Sequence, residues 1–242
     1  MEDSVFSPSI RKGIEAVREG KMIFIFDSDS REGETDFTIP AAAVTADDVR
    51  WMRVDGGGLI CVALADDVCE KLGLPFMADV LHDVESEWPA IKSIAEKAGD
   101  LKYDNRSSFS LWVNHRDTRT GIPDRERALT INKLAEISEI TRNSNPGNVD
   151  FGAEFRAPGH VALLRAAPGL MENRSGQTEL SIAMAEIAGI SPAMVVCEML
   201  DDSTGKALTK EDAKKYAEMH DCVFLGGAEI TEAYELWKSS SA

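Results

Sequence analysis

Short, mostly apolar runs alternate along this chain with longer stretches whose apolar positions recur at helical spacing. Ile10, Ile14 and Val17 follow that spacing and predict a first helix that ends at Gly20. The apolar runs are strand-sized and contain many β-favouring residues, a pattern typical of strands that are buried on both faces. They predict strands over residues 22–26, 59–64, 161–164, 193–200 and 222–225.

Helices are predicted between most of these strands. Gly73 and Gly189 end two of them, over residues 66–72 and 178–188. Residues 107–114 alternate apolar and polar positions, as a half-buried strand does. The other predicted segments are a strand or turn at 37–44, helices at 45–53, 132–139 and 209–220, a terminal helix ending at Trp237, and a charged, irregular stretch at 79–106. This alternation predicts a single α/β or α+β domain in which helices cover a mixed β-sheet.

Charge and composition narrow the possible partners. Lys and Arg total 26 against 42 Asp and Glu, which gives a net charge of −16. Such a surface repels phosphate backbones, so we expect no nucleic-acid partner. The apolar runs fall far short of the roughly 18 residues that a membrane span needs, and the acidic N-terminus shows no secretory signal. We therefore expect a cytoplasmic protein without a membrane partner, whose four cysteines are reduced thiols.

Residues 27–36 form an acidic segment directly after the first predicted strand. The segment contains five carboxylates and one arginine. A solvated loop is the common explanation of such a charge run. Two features favour a site for a hard divalent cation such as Mg²⁺ instead. Open α/β sheets bind ligands at the carboxyl ends of their strands, and Gly33 lets Glu32 and Glu34 approach one centre.

Three further positions carry candidate chemistry. His160 follows a Pro-Gly turn and histidine titrates near neutrality, although a structural histidine fits the same pattern. Arg174 precedes Gly176 and the predicted helix start at Thr178, an arrangement that suits a phosphate group. A capped helix with a surface arginine is the alternative there. Cys61 lies in an apolar run, where core packing is the ordinary role.

Taken together, these segments resemble one enzyme family, the archaeal, single-domain type of 3,4-dihydroxy-2-butanone 4-phosphate synthase, a lyase of the riboflavin pathway. The resemblance extends in order over about residues 9–235. Its motifs are Arg31-Glu32-Gly33-Glu34-Thr35-Asp36, Asp55-Gly56-Gly57-Gly58-Leu59-Ile60-Cys61, Leu74-Pro75-Phe76-Met77, the segment from Asn114 to Gly121, Phe155-Arg156-Ala157-Pro158-Gly159-His160, Leu164-Arg165-Ala166, the segment from Arg174 to Glu179, and Cys197-Glu198-Met199.

This resemblance implies a reaction, a cofactor and an assembly. The reaction is the conversion of D-ribulose 5-phosphate to 3,4-dihydroxy-2-butanone 4-phosphate and formate, with Mg²⁺ or Mn²⁺ as the cofactor. The implied fold has three layers with a mixed sheet, as one synthase domain over residues 1–242. The implied assembly is a homodimer whose active sites lie at the subunit interface.

Roles for individual residues follow from the same resemblance, position by position. Glu32 takes a metal-ligand position, and Gln177 stands at the second one. The substrate and its phosphate are implied to contact four residues: Asp36, Thr120, Arg174 and Thr178. Catalytic roles around metal-bound water and the reacting carbons are implied for five: Asp27, Glu34, Cys61, His160 and Glu198.

Two positions depart from the family pattern. The family has histidine where this chain has Gln177, and an amide oxygen can bind a hard cation but cannot transfer a proton as imidazole does. Pro123 stands where serine or threonine is usual, which removes a hydroxyl and a backbone donor beside the substrate loop. Two alternatives therefore stay open: a paralogue with another metal-dependent sugar-phosphate reaction, and a non-catalytic sugar-phosphate-binding protein.

Overall fold

A seven-stranded mixed sheet forms the centre of the protein, and the computed structural model describes residues 5–241. The strands, in chain order, are β1 (Ile23–Phe26), β2 (Thr35–Pro40), β3 (Cys61–Leu64), β4 (Phe109–His115), β5 (Phe155–Arg165), β6 (Ala193–Glu198), β7 (Leu200–Asp201), β8 (Lys206–Ala207) and β9 (Val223–Gly226). Across the main sheet the order is β4-β5-β3-β6-β2-β1-β9, while β7 and β8 pair with each other. The pairs β1 with β9 and β3 with β5 are parallel, and the other pairs are antiparallel.

Helices cover both faces of this sheet. In chain order they are α1 (Pro8–Arg18), α2 (Ala46–Asp55), α3 (Asp66–Leu72), α4 (Met77–Val84), α5 (Pro89–Ile94), α6 (Asp124–Arg142), α7 (Phe151–Glu154), α8 (Gln177–Ala188), α9 (Lys210–Met219) and α10 (Gly227–Ser241). Helices α1, α8 and α10 share one core with the sheet, and α2, α6 and α9 share the other. The predicted three-layer α/β arrangement is confirmed. Within residues 5–241, none of the helices has the length and apolar character needed to cross a bilayer.

The two cores explain why the central strands read as continuous apolar runs. Ile23 and Ile25 of β1 pack into the core that contains α1 and α8. Phe24 points to the other face, where its ring meets that of Phe37 with centroids 4.9 Å apart. A strand covered on both faces has no polar face to display, so alternation disappears from its sequence.

Local capping chemistry sets several helix boundaries. The Ser7 hydroxyl accepts a hydrogen bond from the amide of Ile10 at 3.3 Å and so begins α1. Thr45 and Asp48 form a reciprocal capping box at the start of α2. Gly189 takes up the left-handed conformation that ends α8, with φ of 72°. The start of α2 and the end of α8 agree with the sequence-based predictions.

The structure differs from those predictions where tertiary pairing decides the element. Strand β5 begins at Phe155 rather than residue 161, because Phe155 and Arg156 pair with the end of β4. Helix α6 extends well beyond the predicted 132–139, since buried positions continue from Arg127 to Thr141. The charged stretch at 79–106 contains part of α4 and the whole of α5, followed by irregular chain.

Candidate active site

A cavity of about 230 Å³ lies at the end of the sheet where β1 ends and β2 begins. Its walls come from strand ends, from the first turn of α8 and from the irregular segment before β4. Seven of the eleven residues predicted for the site line it: Glu32, Asp36, Cys61, Arg174, Gln177, Thr178 and Glu198. A larger and more open cleft of about 710 Å³ lies at the opposite end of β1, beside Trp51 and His220, and contains none of the predicted residues.

Asp36 and Glu198 face each other across β2 and β6 as register partners. The Asp36 side chain is buried, and its Oδ1 has no hydrogen-bond partner among the described residues. Burial raises the pKa of Asp36 well above its usual range, and the neighbouring Glu198 carboxylate raises it further. Burial also raises the pKa of Glu198. Both carboxyls therefore hold protons at a higher pH than a carboxyl in water does, which suits proton transfer.

Cys61 begins β3 and lies opposite Val196 of β6. Burial raises the pKa of the Cys61 thiol well above its usual range, and the charge of Glu198 adds to the effect. The sulfur donates a weak hydrogen bond to the carbonyl oxygen of Leu59 at 3.7 Å. Cys61 is therefore a neutral thiol that forms part of the cavity wall, and it lacks the thiolate character of a nucleophile.

The Gln177 side chain is held in place by backbone carbonyl groups. Its Nε2 donates to the carbonyl oxygen of Ile25 at 3.0 Å and to that of Glu34 at 3.1 Å. Because both neighbours are acceptors, the amide nitrogen faces them and Oε1 faces away. That oxygen is buried and has no partner within the described part of the chain. A buried acceptor without a donor is costly, so Oε1 suits a cation or donor from outside the chain.

The residues around Gln177 fit a hard divalent cation with few protein ligands. Gln177 Oε1 and Asp36 Oδ1 are buried oxygens without partners, and Glu32 lines the same cavity. Across residues 5–241, no group of three or more His, Cys, Asp or Glu side chains forms a metal cage. Mg²⁺ usually keeps several waters and takes one or two carboxylates from the protein, so this sparse set of oxygens agrees with such an ion.

Two guanidinium groups meet beside the start of α8. A Cβ atom on Gly176 would lie 2.3 Å from Nη1 of Arg174 and 2.7 Å from Nη2 of Arg31, so the absence of a side chain lets both groups approach. The Asp104 carboxylate joins them, accepting from Arg31 Nε at 3.2 Å and from Arg174 Nε at 2.8 Å. Thr178 lies in the first turn of α8, at the positive end of the helix dipole. Guanidinium groups at a helix start are the usual components of a phosphate site.

Asp27 and Glu34 belong to the acidic loop and lie outside the cavity lining. The Asp27 carboxylate accepts from the amides of Glu32 at 3.1 Å and Glu34 at 3.0 Å, and from Arg31 Nη1 at 3.1 Å. Burial raises the pKa of Glu34, and the charge of Glu32 adds to the effect. The solvated-loop explanation therefore describes the exposed Asp29, whereas Asp27 organises the loop from within.

His160 and Thr120 lie together at the edge of the sheet and also lie outside the cavity lining. Asn114 of β4 links them. Its Oδ1 accepts from the His160 amide at 2.8 Å, and its Nδ2 donates to His160 Nδ1 at 3.1 Å and to the Thr120 carbonyl at 3.2 Å. Strand β4 is the outermost strand on this side, and Trp112 and Ile122 are exposed there. We call His160, Asn114 and Thr120 the edge cluster.

Pro123 belongs to the surroundings of the edge cluster. It directly precedes α6, and its carbonyl oxygen accepts from the amide of Glu126 at 2.8 Å. The Glu126 carboxylate in turn accepts from the amide of Thr120 at 2.9 Å. The departure from the family pattern at Pro123 therefore concerns the edge cluster rather than the cavity.

Sequence reasoning missed the wall that residues 96–108 contribute. Glu96, Tyr103, Asp104 and Ser108 line the cavity, yet an irregular charged segment has no periodicity that could mark them. Arg31 belongs to a motif that the sequence singles out. Its place beside the start of α8 becomes visible when the fold brings the two segments together.

Comparison with known families matches residues 11–233 of this chain to 3,4-dihydroxy-2-butanone 4-phosphate synthase. The enzyme of that name from Methanosarcina mazei is 62% identical over 229 residues, which cover 95% of this chain and 92% of that protein. The riboflavin biosynthesis protein RibBA of Aquifex aeolicus is 32% identical over 222 residues, which cover 92% of this chain and 48% of that protein.

A solved structure shares the fold as well as the sequence pattern. The crystal structure of a 3,4-dihydroxy-2-butanone 4-phosphate synthase in complex with two magnesium ions matches with a TM-score of 0.73. It is 25% identical, and the match covers 91% of this chain and 94% of that one. The chain thus belongs to the 3,4-dihydroxy-2-butanone 4-phosphate synthase family, and the prediction of a lyase of riboflavin biosynthesis is confirmed.

Proposed function

We propose that this chain, as a single domain of residues 1–242, converts D-ribulose 5-phosphate to 3,4-dihydroxy-2-butanone 4-phosphate and formate. The observation that carries the proposal is one cavity in which Asp36 and Glu198 lie with Arg174 and with Gln177, whose Oε1 has no partner among the described residues. The reaction needs three things together: groups that hold and move protons, oxygen ligands for a cation, and a site for the phosphate. This cavity contains all three.

Glu32 and Gln177 are the residues that we assign to the divalent metal, with Asp36 beside them. When bound, Mg²⁺ or Mn²⁺ would polarise the substrate carbonyl and its neighbouring hydroxyl. The two backbone carbonyls that hold Gln177 Nε2 fix the direction of Oε1 before any ligand arrives. A ligand fixed in advance loses little freedom on binding, which supports its role at a metal.

The carboxyl groups of Asp36 and Glu198 in the cavity supply the proton transfers in this proposal, together with Glu34 of the adjoining acidic loop. Burial raises the pKa of each, so a protonated fraction persists closer to neutrality than for an ordinary carboxyl. A protonated carboxyl can give a proton to the departing hydroxyl, and an ionised neighbour can take one from carbon. Cys61 lines the space around the reacting carbons as a neutral thiol, and Asp27 holds the loop that carries Glu34.

The substrate phosphate is assigned to the two guanidinium groups and the first turn of α8. Arg174 and Arg31 lie against Gly176, where a phosphate could bind both groups at the positive end of the helix dipole. Thr178 lines the cavity at that position and can add its hydroxyl. This arrangement places the phosphate at one end of the cavity that contains the proton-transfer groups.

A second copy of the chain completes the site in this proposal. His160 and Thr120 are predicted site residues, yet they belong to the edge cluster and not to the cavity of their own chain. Trp112 is exposed on the outermost strand and stacks on Phe109, which lines the cavity, with ring centroids 6.1 Å apart. A symmetric interface along β4 would bury this apolar surface and bring the edge cluster to the partner's cavity.

A cytoplasmic location belongs to the same proposal. The four cysteines are free thiols, the state that a reducing compartment maintains. The partner that the site requires is a small sugar phosphate.

Incubation of the purified protein with ribulose 5-phosphate and Mg²⁺, followed by detection of formate, tests the proposed function. We expect formate from the parent protein and a loss of about a hundredfold or more in Glu198→Gln, since an amide cannot transfer the proton. Glu218→Gln, an exposed change on α9, is the matched control and should keep the parental rate. Substrate loss without formate would indicate another sugar-phosphate reaction, and binding without turnover would indicate a binding protein; either result contradicts the proposal.

A further inference from the structure

The Asp104 carboxylate occupies the space between the two guanidinium groups assigned to the phosphate. It accepts from Nε of Arg31 and Nε of Arg174, and a third contact joins it to Nη2 of Arg31. The Asp104 side chain is 6% exposed. Most of residues 97–105 are exposed and have no regular secondary structure. Asp104 is therefore a buried anchor within an otherwise exposed segment.

The two guanidinium groups are already surrounded by more negative than positive charge without a ligand. Four carboxylates contact them, from Asp27, Glu32, Asp104 and Glu179. A phosphate dianion that joined all four would add two negative charges to a partly buried cluster that already carries an excess of carboxylates. Like charges at such distances repel strongly where water is scarce. One carboxylate must therefore leave the guanidinium groups before a phosphate can bind there.

The contacts of the four carboxylates show which one can leave. Asp27 also accepts from two backbone amides, and the fully buried Glu179 accepts from the amides of Ala167 and Gly176. Glu32 lines the cavity as the assigned metal ligand. Among the residues that the structure describes, the hydrogen-bond partners of the Asp104 carboxylate are the two guanidinium groups themselves. Loss of those contacts leaves no backbone amide without its acceptor.

We propose that Asp104 occupies the phosphate position in the absence of substrate and that the substrate phosphate displaces it. The inference rests on the proposed function, because it takes the assignment of Arg31 and Arg174 to the phosphate as given. It adds that Asp104 competes with the phosphate within the same chain, and that phosphate binding changes the segment that carries Asp104. Displacement of Asp104 removes the buried anchor of residues 97–105 and so frees the segment that contributes Tyr103 to the cavity wall.

Titration of inorganic phosphate by calorimetry tests the competition directly. Asp104→Asn should bind phosphate about tenfold more tightly than the parent, since an amide oxygen accepts from guanidinium more weakly than a carboxylate does. Asp100→Asn is the matched control. It removes the same charge from the same segment, but Asp100 accepts from the amide of Lys97 and contacts no guanidinium. Its phosphate affinity should stay within about twofold of the parental value.

Hydrogen exchange of residues 97–105 tests the release of the segment. Phosphate should speed exchange there in the parent and have little further effect in Asp104→Asn, which lacks the carboxylate anchor. Unchanged or weaker phosphate binding by Asp104→Asn would overturn the proposal and show that Asp104 supports the guanidinium groups. Slower exchange in the parent on phosphate addition, or no phosphate binding by either protein, would also overturn it. These measurements need no turnover, so failure of the formate assay is a separate result.

Discussion

The two polar atoms of the Gln177 amide group have different surroundings. Nε2 satisfies two backbone carbonyls at the end of β1 and in the acidic loop, while Oε1 is buried without a partner in the described structure. The histidine of the family pattern has a different number of hydrogen-bond donors. A neutral imidazole has one N–H and one acceptor nitrogen, so it can satisfy one carbonyl and offer the other nitrogen to a metal.

Gln177→His should therefore strengthen the metal site. We expect Mn²⁺ affinity to rise by about tenfold and formate release to rise with it, because imidazole is a stronger ligand than an amide oxygen and metal-site changes have effects of this size. Calorimetric titration with Mn²⁺ and the formate assay, run on both proteins, check this. Gln177→Met keeps the length of the side chain without a ligand oxygen and should lose affinity. High turnover in the parent without a gain in Gln177→His would show that glutamine is already a competent ligand.

At the scale of residues, the sequence predicts the members of the cavity better than their contacts. Carboxylates at the end of β1 and polar residues at the start of α8 are visible as motifs, and the fold brings them to one cavity. The role of Asp27 cannot be predicted from a sequence motif. Its carboxylate binds backbone amides of its own loop, a contact that depends on loop conformation. Asp104 has no sequence signal, since its partners lie 73 and 70 residues away along the chain.

Among the elements, helix α8 has a glycine at each end, and the two glycines are required for different reasons. Gly176 has φ of −94°, which any residue can adopt, so its conformation does not require glycine. The limited space at this position requires glycine, because a Cβ atom there would clash with both guanidinium groups. At Gly189, at the other end of α8, the backbone conformation rather than the space favours glycine. It has open space around it and a positive φ that disfavours a side chain.

This contrast gives a prediction for the two ends of one helix. Gly176→Ala should displace Arg31 and Arg174 and weaken phosphate binding by about tenfold. It should also lower the free energy of unfolding, because the buried Glu179 carboxylate loses its guanidinium partner. Gly189→Ala should lower that free energy by about 1 kcal/mol and leave phosphate affinity unchanged. Urea denaturation and phosphate titration of both variants measure the two effects. Equal phosphate affinity in Gly176→Ala and the parent would move the phosphate site away from α8.

Among the elements, those whose pattern follows from local chemistry are predictable and those fixed by long-range pairing are not. The apolar run of β1 and the helix that starts at Thr45 follow from local chemistry, and both appear as expected. The first residues of β5 contain Arg156, Pro158 and Gly159, which favour a turn in isolation. Pairing with β4 makes this segment part of a long strand, and that pairing is invisible in the local sequence.

At the scale of the whole molecule, nine of the eleven predicted site residues fall into two groups, while Asp27 and Glu34 belong to the acidic loop. The cavity holds seven of them, and His160 and Thr120 belong to the edge cluster beside the outermost strand. Hydrogen bonds hold the residues of each group in place. A rearrangement that brought the two groups of one chain together would break these bonds. Symmetric association of two chains, as proposed above, would unite the groups without such a change, because each chain would give its edge cluster to the other's cavity.

Mixing of two inactive variants tests this arrangement. Glu198→Gln damages the cavity and His160→Ala damages the edge cluster, so each homodimer should lose activity. A mixed dimer contains one doubly damaged site and one intact site, and random association of equal amounts should restore about a quarter of the parental formate release. Glu198→Gln mixed with Asp36→Asn is the control, since both changes affect the cavity and no intact site can form. If His160→Ala is fully active, the edge cluster has no catalytic role. If the first mixture stays inactive although mixed dimers are present, both groups act within one chain, and the interface model is wrong.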